Sequence, residues 1–439
     1  MLTKYLAAAA GNSGGVSSWL YDFASATNFW PFDVVVDSQD NVIAVGRTSE
    51  DGAGGTDAVV FKINSSGTLL WARTYGDAGE NQRFNAVTVD SSDNIYVSGT
   101  THSLASKAFW MKLNTDGVIQ IERTAYDGSG GYEQSWGIQV DSSGYIYLFC
   151  ELERNNSGNL YPYIVLYDSA GTKQGSWYVN AFLTATTSDP FTFNGAVNSD
   201  GSIISFGFRY STQSKEIFGA WQRSGTTLSL KNSTLELAGN FSPPTASEYV
   251  PACGSLIDSS NNIYYWDGDT NAGSNTACLF KRNSSGTALD QVAVGFFNNA
   301  LPTTMCIDSN DDPYLALFYG IITKHDKTNL DLLDSIRITR AGSGQTSISG
   351  MATLSDGRIA VVGRDFFYSS GAFISVVAID GSSNGTYGNW TVADYSPTVS
   401  TSLNGLSSSG QSTTANSDAI SETDPNYTEA AATITYTVY

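Results

Sequence analysis

Apolar and polar positions alternate in short runs along most of the chain. The stretch from Phe84 to Gln120 shows the pattern most clearly: FNAVTVD, SSDN, IYVSG, a polar loop, AFWMKL, NTDG and VIQ. Short runs of β-branched and aromatic residues, bounded by Asp, Asn, Ser and Gly, predict strands joined by tight turns. Four such strands and two kinds of turn make one unit, and variants of that unit recur.

The first turn marks the recurrence. It stands at Asp37–Asn41, Asp90–Asn94, Asp141–Tyr145, Asn198–Ser202, Asp258–Asn262, Asp308–Asp312 and Leu354–Arg358, with spacings of 53, 51, 57, 60, 50 and 46 residues. Short polar side chains bond nearby backbone there, and Gly or Asn tolerates positive φ. An apolar strand follows each copy: VIAVG, IYVSG, IYLFC, IISFG, IYYWD, YLALF and IAVVG. A second turn comes one strand later, as in Asn64–Thr68, Asn114–Val118, Asp168–Thr172 and Asn283–Thr287. Seven units of about 50 residues with four strands each predict an all-β, seven-bladed β-propeller of four-stranded blades.

The two ends of the chain lie outside the seven units. Ser17–Ala24 (SSWLYDFA) matches Thr68–Asp77 (TLLWARTYGD), the last strand of unit one, yet no unit precedes it. It is therefore expected to supply the fourth strand of unit seven and close the ring, which removes an open edge. The competing candidate for that place is Tyr387–Ala393. Beyond Pro397 the composition turns to Ser, Thr, Asn and Gly, as in a linker. The predicted organisation is an arm over 1–16, a propeller over 17–395, a flexible Ser/Thr-rich extension over 396–430 and a terminal strand over 431–439. That last stretch, AATITYTVY, alternates and needs an edge to join, in its own chain or a neighbour. Tyr436, Val438 and Tyr439 are its assembly candidates.

Charge narrows the partners. The 439 residues hold 22 Lys and Arg against 42 Asp and Glu, a net charge of −20. No basic field exists to hold nucleic acid or an anionic membrane. No apolar run approaches the roughly 20 residues that span a bilayer. The apolar run Tyr5–Ala10 falls short of the roughly 7–15 residues of an export signal. Cys150, Cys253, Cys278 and Cys306 form no CxxC pair, and with only two histidines no zinc or redox site is expected.

Loops on a rigid scaffold are where binding usually sits. The loops between second and third strands, together with the links between blades, open on one face. Tyr132, Tyr161, Tyr210 and Trp266 lie in or beside them and are the candidate binding residues, able to stack on a sugar or pack on a protein. Ordinary half-buried aromatics at loop roots would look the same. The recurrent Asp turns run straight into apolar residues and cannot complete a calcium loop. Glu80, Glu133, Glu151 and Asp269 could serve a glycosidase, but no spacing pairs them. His102 and His325 have no serine elbow or cysteine partner. No catalytic residue, metal or cofactor is expected.

The runs DSQDNVIAVGRT, DAVVFKINSSGTLLWARTYG, DSSDNIYVSGTT and AFWMKLNTDGVI resemble the bacterial seven-bladed propeller repeat family called SBBP. The resemblance covers residues 31–127 well and later blades loosely, and implies a structural repeat without a shared catalytic residue. The style of the whole chain also resembles structural proteins of marine tailed phages. That implies a virion component, in a tail or on the particle surface, with other virion proteins as partners and a host glycan or protein as a further target. The alternative is a bacterial cell-surface propeller that binds carbohydrate or protein. A polysaccharide hydrolase or lyase ranks below both.

Overall fold

The computed structural model describes residues 7–11, 18–23, 29–49, 55–77, 79–102, 106–126, 133–153, 160–179, 193–210, 215–236, 254–269, 276–295, 302–342, 346–365, 371–387, 389–400, 420–422, 428–430 and 435–438. They build a seven-bladed β-propeller of antiparallel blades. Blade 1 runs Trp30–Val36, Val42–Thr48, Asp57–Ile63 and Leu69–Gly76, from the axis outward. Blade 2 runs Asn81–Val89, Ile95–His102, Lys107–Leu113 and Ile119–Tyr126, and blade 3 runs Gln134–Val140, Ile146–Glu153, Leu160–Tyr167 and Lys173–Val179. Blade 4 comprises Phe193–Val197, Ile203–Tyr210, Lys215–Ser224 and Thr227–Glu236. Blade 5 comprises Ser255–Ile257, Ile263–Asp269, Thr276–Arg282 and Ala288–Gly295, and blade 6 Pro302–Ile307, Pro313–Leu317, Ile321–His325 and Leu332–Arg340.

Blade 7 takes Thr346–Thr353, Ile359–Asp365 and Ala372–Val377 from one end of the chain and Ser18–Phe23 from the other. The N-terminal strand thus closes the ring. Phe23, Phe29 and Phe61 meet across the seam with ring centroids 4.8 to 5.5 Å apart. Trp19 Nε1 donates to the Ser65 carbonyl at 3.0 Å and the Tyr21 hydroxyl to that of Gly67. Blade 1 repeats the arrangement toward blade 2, where Trp71 donates to Thr115 and Tyr75 to Gly117. So the match between SSWLYDFA and TLLWARTYGD is a match of function: both strands use an indole and a phenol to hold the next blade's second turn. Tyr387–Ala393 does not take this place; Trp390–Asp394 is instead a fifth strand on blade 6.

The core lies between the blades, because each strand is covered on both faces by its neighbours. Middle strands such as Asp57–Ile63 and Ile359–Asp365 are buried at every position. Their centres, AVVF and IAVV, therefore read as apolar runs rather than alternating ones.

The extension is the main departure from the sequence reading. Thr398–Ser400 pairs with blade 5, Ile420–Glu422 with blade 3, Thr428–Ala430 with blade 2 and Thr435–Val438 with blade 1. Together with Trp390–Asp394 these strands run backward round the ring, in the order 6, 5, 3, 2, 1. Ala7–Gly11 adds the corresponding strand to blade 7. Among the described residues, only blade 4 keeps four strands. Three of the short strands lie in 396–430, the stretch read as a linker. Open outer edges explain why a polar segment of low apolar content pairs at all: the contact needs main-chain groups, not side chains.

Candidate interaction surfaces

The first-turn motif has two jobs in the structure. Its opening Asp closes its own turn: Asp37 accepts the amides of Gln39 and Asn41, and Asp90 those of Ser92 and Asn94. Lys62, 2.8 Å from Asp37, and Asn41 outweigh burial and hold its carboxyl below the ordinary carboxylate range. Asp308 is held down in the same way by Lys324 at 2.9 Å. Tyr96, Tyr147, Tyr264 and Tyr314 each add a hydroxyl to the opening Asp of their blade. Several of the few basic residues are therefore committed to turns.

The motif's second job joins the blades. Ser38 gives its amide and hydroxyl to the two carboxylate oxygens of Asp93 in blade 2, at 2.9 and 2.7 Å. Ser259 does the same to Asp311 in blade 6, and Ser355 to Asp40 across the seam. Asp40, Asp93 and Asp311 sit at φ 59°, 59° and 66°, where glycine would be the easier residue. Blades 3, 4 and 7 do carry glycine there: Gly144, Gly201 and Gly357. The strained Asp is thus kept where a preceding Ser uses it.

Of the loop-face candidates, Trp266 alone has a side chain among the described ones. Tyr132 lies outside the described residues, as does Tyr439 of the assembly set. Tyr161 and Tyr210 fall in the strands Leu160–Tyr167 and Ile203–Tyr210, toward the loop face. Trp266 is placed differently from the sequence reading. It is 2% exposed inside Ile263–Asp269 and packs with Leu279, Val292 and Leu315, so it offers no ring to the loop face. Tyr436 and Val438 stand opposite Tyr75 and Arg73 on the outer edge of blade 1.

Three of the groups that could have served catalysis, Glu133, Glu151 and His325, are buried. Burial pushes the Glu151 carboxyl well above its usual range, with only the Trp136 indole opposing. His325 is fully buried between the Leu330 carbonyl and the Thr323 hydroxyl, 2.9 Å from each, and burial lowers it to about 4. Cys150, Cys278 and Cys306 are buried thiols; Cys253 lies outside the described residues. No group of His, Cys, Asp and Glu among the described residues is arranged to hold a metal. No described helix is long and apolar enough to cross a membrane.

Inner strands of all seven blades surround a cavity of about 400 Å³ on the ring axis. Five of them bulge five residues before the first turn, at Phe32, Asn85, Trp136, Thr303 and Ser349. A bulge re-aims one side chain, and each of these lines the cavity. Arg83 braces the same level: it donates to Gln134 at 2.6 Å and lies over the rings of Phe32 and Trp136. Asp33, one residue past the first bulge, accepts the amides of Val34 and Val87, the latter from blade 2. Burial in the ring nevertheless raises its carboxyl to about 7.

The outer rim is the third surface. On blades 1, 2, 3, 5 and 6 the added strands cover the loop-side half of the outer strand, for example Arg73–Gly76, Thr124–Tyr126 and Ala293–Gly295; on blade 7 Ala7–Gly11 pairs along Ser18–Asp22. The turn-side halves carry Leu70, Leu289 and Leu333, which are 49%, 50% and 50% exposed. They occupy equivalent places, just after the second turn of blades 1, 5 and 6.

No family model matches the chain, and no curated protein matches it either. The resemblance to the SBBP repeat therefore stays with the residues that carry it. Among solved structures, hydrazine synthase of Kuenenia stuttgartiensis is similar with 10% identity and a TM-score of 0.49, over 80% of this chain and 96% of that one. The Cps50 (Swd1) β-propeller domain of Myceliophteria thermophila gives 7% identity and 0.49, over 84% and 100%. BamB from Moraxella catarrhalis gives 9% and 0.42, over 83% and 99%. Its own seven antiparallel sheets, with the N-terminal strand closing the last, place the protein among the seven-bladed propellers.

Proposed function

We propose that the chain is a non-enzymatic scaffold for protein–protein contact, and that partners dock on the outer rim of the ring. The observation that carries this is the treatment of the outer strands. Their loop-side halves accept added strands from the chain's own ends, and their turn-side halves expose Leu70, Leu289 and Leu333 at repeated positions. An unpaired strand edge beside exposed apolar side chains is the arrangement that strand addition uses. The buried carboxylates and the neutral His325 support the absence of catalysis in this reading. A virion component, suggested by sequence style, finds no support in the comparisons; a surface or assembly module is the reading kept.

The test removes the extension. A chain ending at Ser396 is expected to keep its far-ultraviolet spectrum and a melting temperature within a few degrees of the full chain. It should take up a synthetic peptide of residues 427–439 in solution, read by fluorescence anisotropy. A folded ring that ignores the peptide and remains monomeric would show that the outer edges are not receptive, and the proposal would fall.

A further inference from the structure

We propose that the axial cavity is a binding pocket for one small neutral polyhydroxy compound, of the size of a single pyranose ring. This does not rest on strand pairing at the rim, and it uses residues the loop-face candidates do not include, apart from Trp266.

Three residues that line the cavity each carry a buried polar atom without a protein partner: Asn85 Oδ1, Thr303 Oγ1 and Trp266 Nε1. Their residues are 7%, 2% and 2% exposed. Unmade buried hydrogen bonds are costly, and native proteins keep few of them. These three come from blades 2, 6 and 5, yet they line one cavity. They offer an acceptor, a hydroxyl and a donor, which is the complement of an array of hydroxyl groups. A volume of about 400 Å³ lies in the range of small-molecule sites.

Charge decides the ligand class. The lining contains one carboxylate, Asp33, and no Lys or Arg, so an anion has nothing to meet. Both Asp33 oxygens already accept backbone amides. The rings of Phe32 and Trp136 already lie against Arg83. A cation therefore finds neither a bare carboxylate nor unused aromatic faces on both sides. Toward the turn face Val35, Thr88, Gln139 and Leu256 are half-exposed, whereas the bulge residues are buried.

The experiment uses the full chain and saturation-transfer NMR with neutral methyl pyranosides, glucuronate and choline as probes. Transfer to at least one neutral pyranoside, and to neither charged probe, is expected. Thr303→Val and Trp266→Phe each remove one hydrogen-bonding atom with little change of shape, and each should weaken binding about tenfold. Thr303→Val should melt no lower than the parent, since it removes an unsatisfied hydroxyl; that separates lost binding from lost folding. Three outcomes overturn the proposal: no transfer to any pyranoside, transfer only to a charged probe, or unchanged affinity in both variants. The last would place sugar binding elsewhere on the ring, and the first would leave the cavity to water.

Discussion

The turn face and the outer rim of this ring solve the same problem in opposite ways. Both must join units that are separate in space. On the turn face, side chains do it: Ser38 with Asp93, Ser259 with Asp311, Ser355 with Asp40. On the rim, main chain does it, through strands of three to five residues lent by the two ends of the chain. Side-chain links need particular residues at particular places. Main-chain links need only an edge and a segment free to lie along it. One solution is therefore local, specific and repeated, and the other is permissive and can be supplied by another chain.

Trp19 belongs to both regions, and its removal should have the largest effect. Its strand is lent to blade 7, and its indole holds a turn of blade 1 through the Ser65 carbonyl. The ring packs on Tyr21 with centroids 5.5 Å apart and is 2% exposed. Trp19→Ala should cost about 3–5 kcal/mol, as for a large buried aromatic. Trp71 holds the same place in blade 1 and donates to Thr115, but it is half-buried in a strand continuous with its own blade. Trp71→Ala should cost about 1–2 kcal/mol. Chemical denaturation of both variants checks this. Equal losses would mean that closure by the N-terminal strand is no more critical than any other blade contact.

The same contrast explains what could be read beforehand. Ring size, blade boundaries and N-terminal closure were legible because the turn motif recurs and because SSWLYDFA repeats TLLWARTYGD. The Ser–Asp links were not. Asp40, Asp93 and Asp311 read as turn residues, and only three dimensions show each one meeting a Ser of the preceding blade, 55 and 52 residues away for Asp93 and Asp311 and 315 away, across the seam, for Asp40. The rim strands were hidden for a different reason. Ile420–Glu422 and Thr428–Ala430 lie in a Ser/Thr-rich segment without the apolar alternation that marks a half-buried strand. Trp266 misled because an aromatic near a loop and an aromatic in a core look alike in sequence. The axial cavity was not legible either, since its polar lining comes from strands of different blades and forms no motif.

The turn-face links can be weighed directly. Ser38→Ala, Asp93→Ala and the double variant form a cycle whose coupling should be about 1–2 kcal/mol, since the hydroxyl that Ser38→Ala removes donates to a charged acceptor while the amide bond stays. Asp93→Gly should recover part of the loss, because φ 59° suits glycine better than Asp. Ser91 is the internal control. It precedes Gly144 in the next blade, which has no side chain to accept, so Ser91→Ala should change stability by less than about 0.5 kcal/mol. A cycle with no coupling would reduce the Ser–Asp contact to a consequence of turn shape.

The rim should respond least in global stability and most in local exchange. Thr435–Val438 pairs with only Arg73–Gly76, and the rest of Leu69–Gly76 is held by Asp57–Ile63 whether or not the added strand is present. Tyr436→Pro removes one amide and restricts the backbone at the centre of that pairing. Overall stability should fall by less than about 1 kcal/mol. Amide exchange across Arg73–Gly76 should quicken, while that of the buried strand Asp57–Ile63 stays unchanged. A permissive edge predicts this separation of local from global response. If Tyr436→Pro instead lowered the stability of the whole ring as much as the loss of a turn-face link, the terminal strand would be part of the fold's foundation rather than an occupant of its rim. The outer edge would then have no claim to accept a strand from anywhere else.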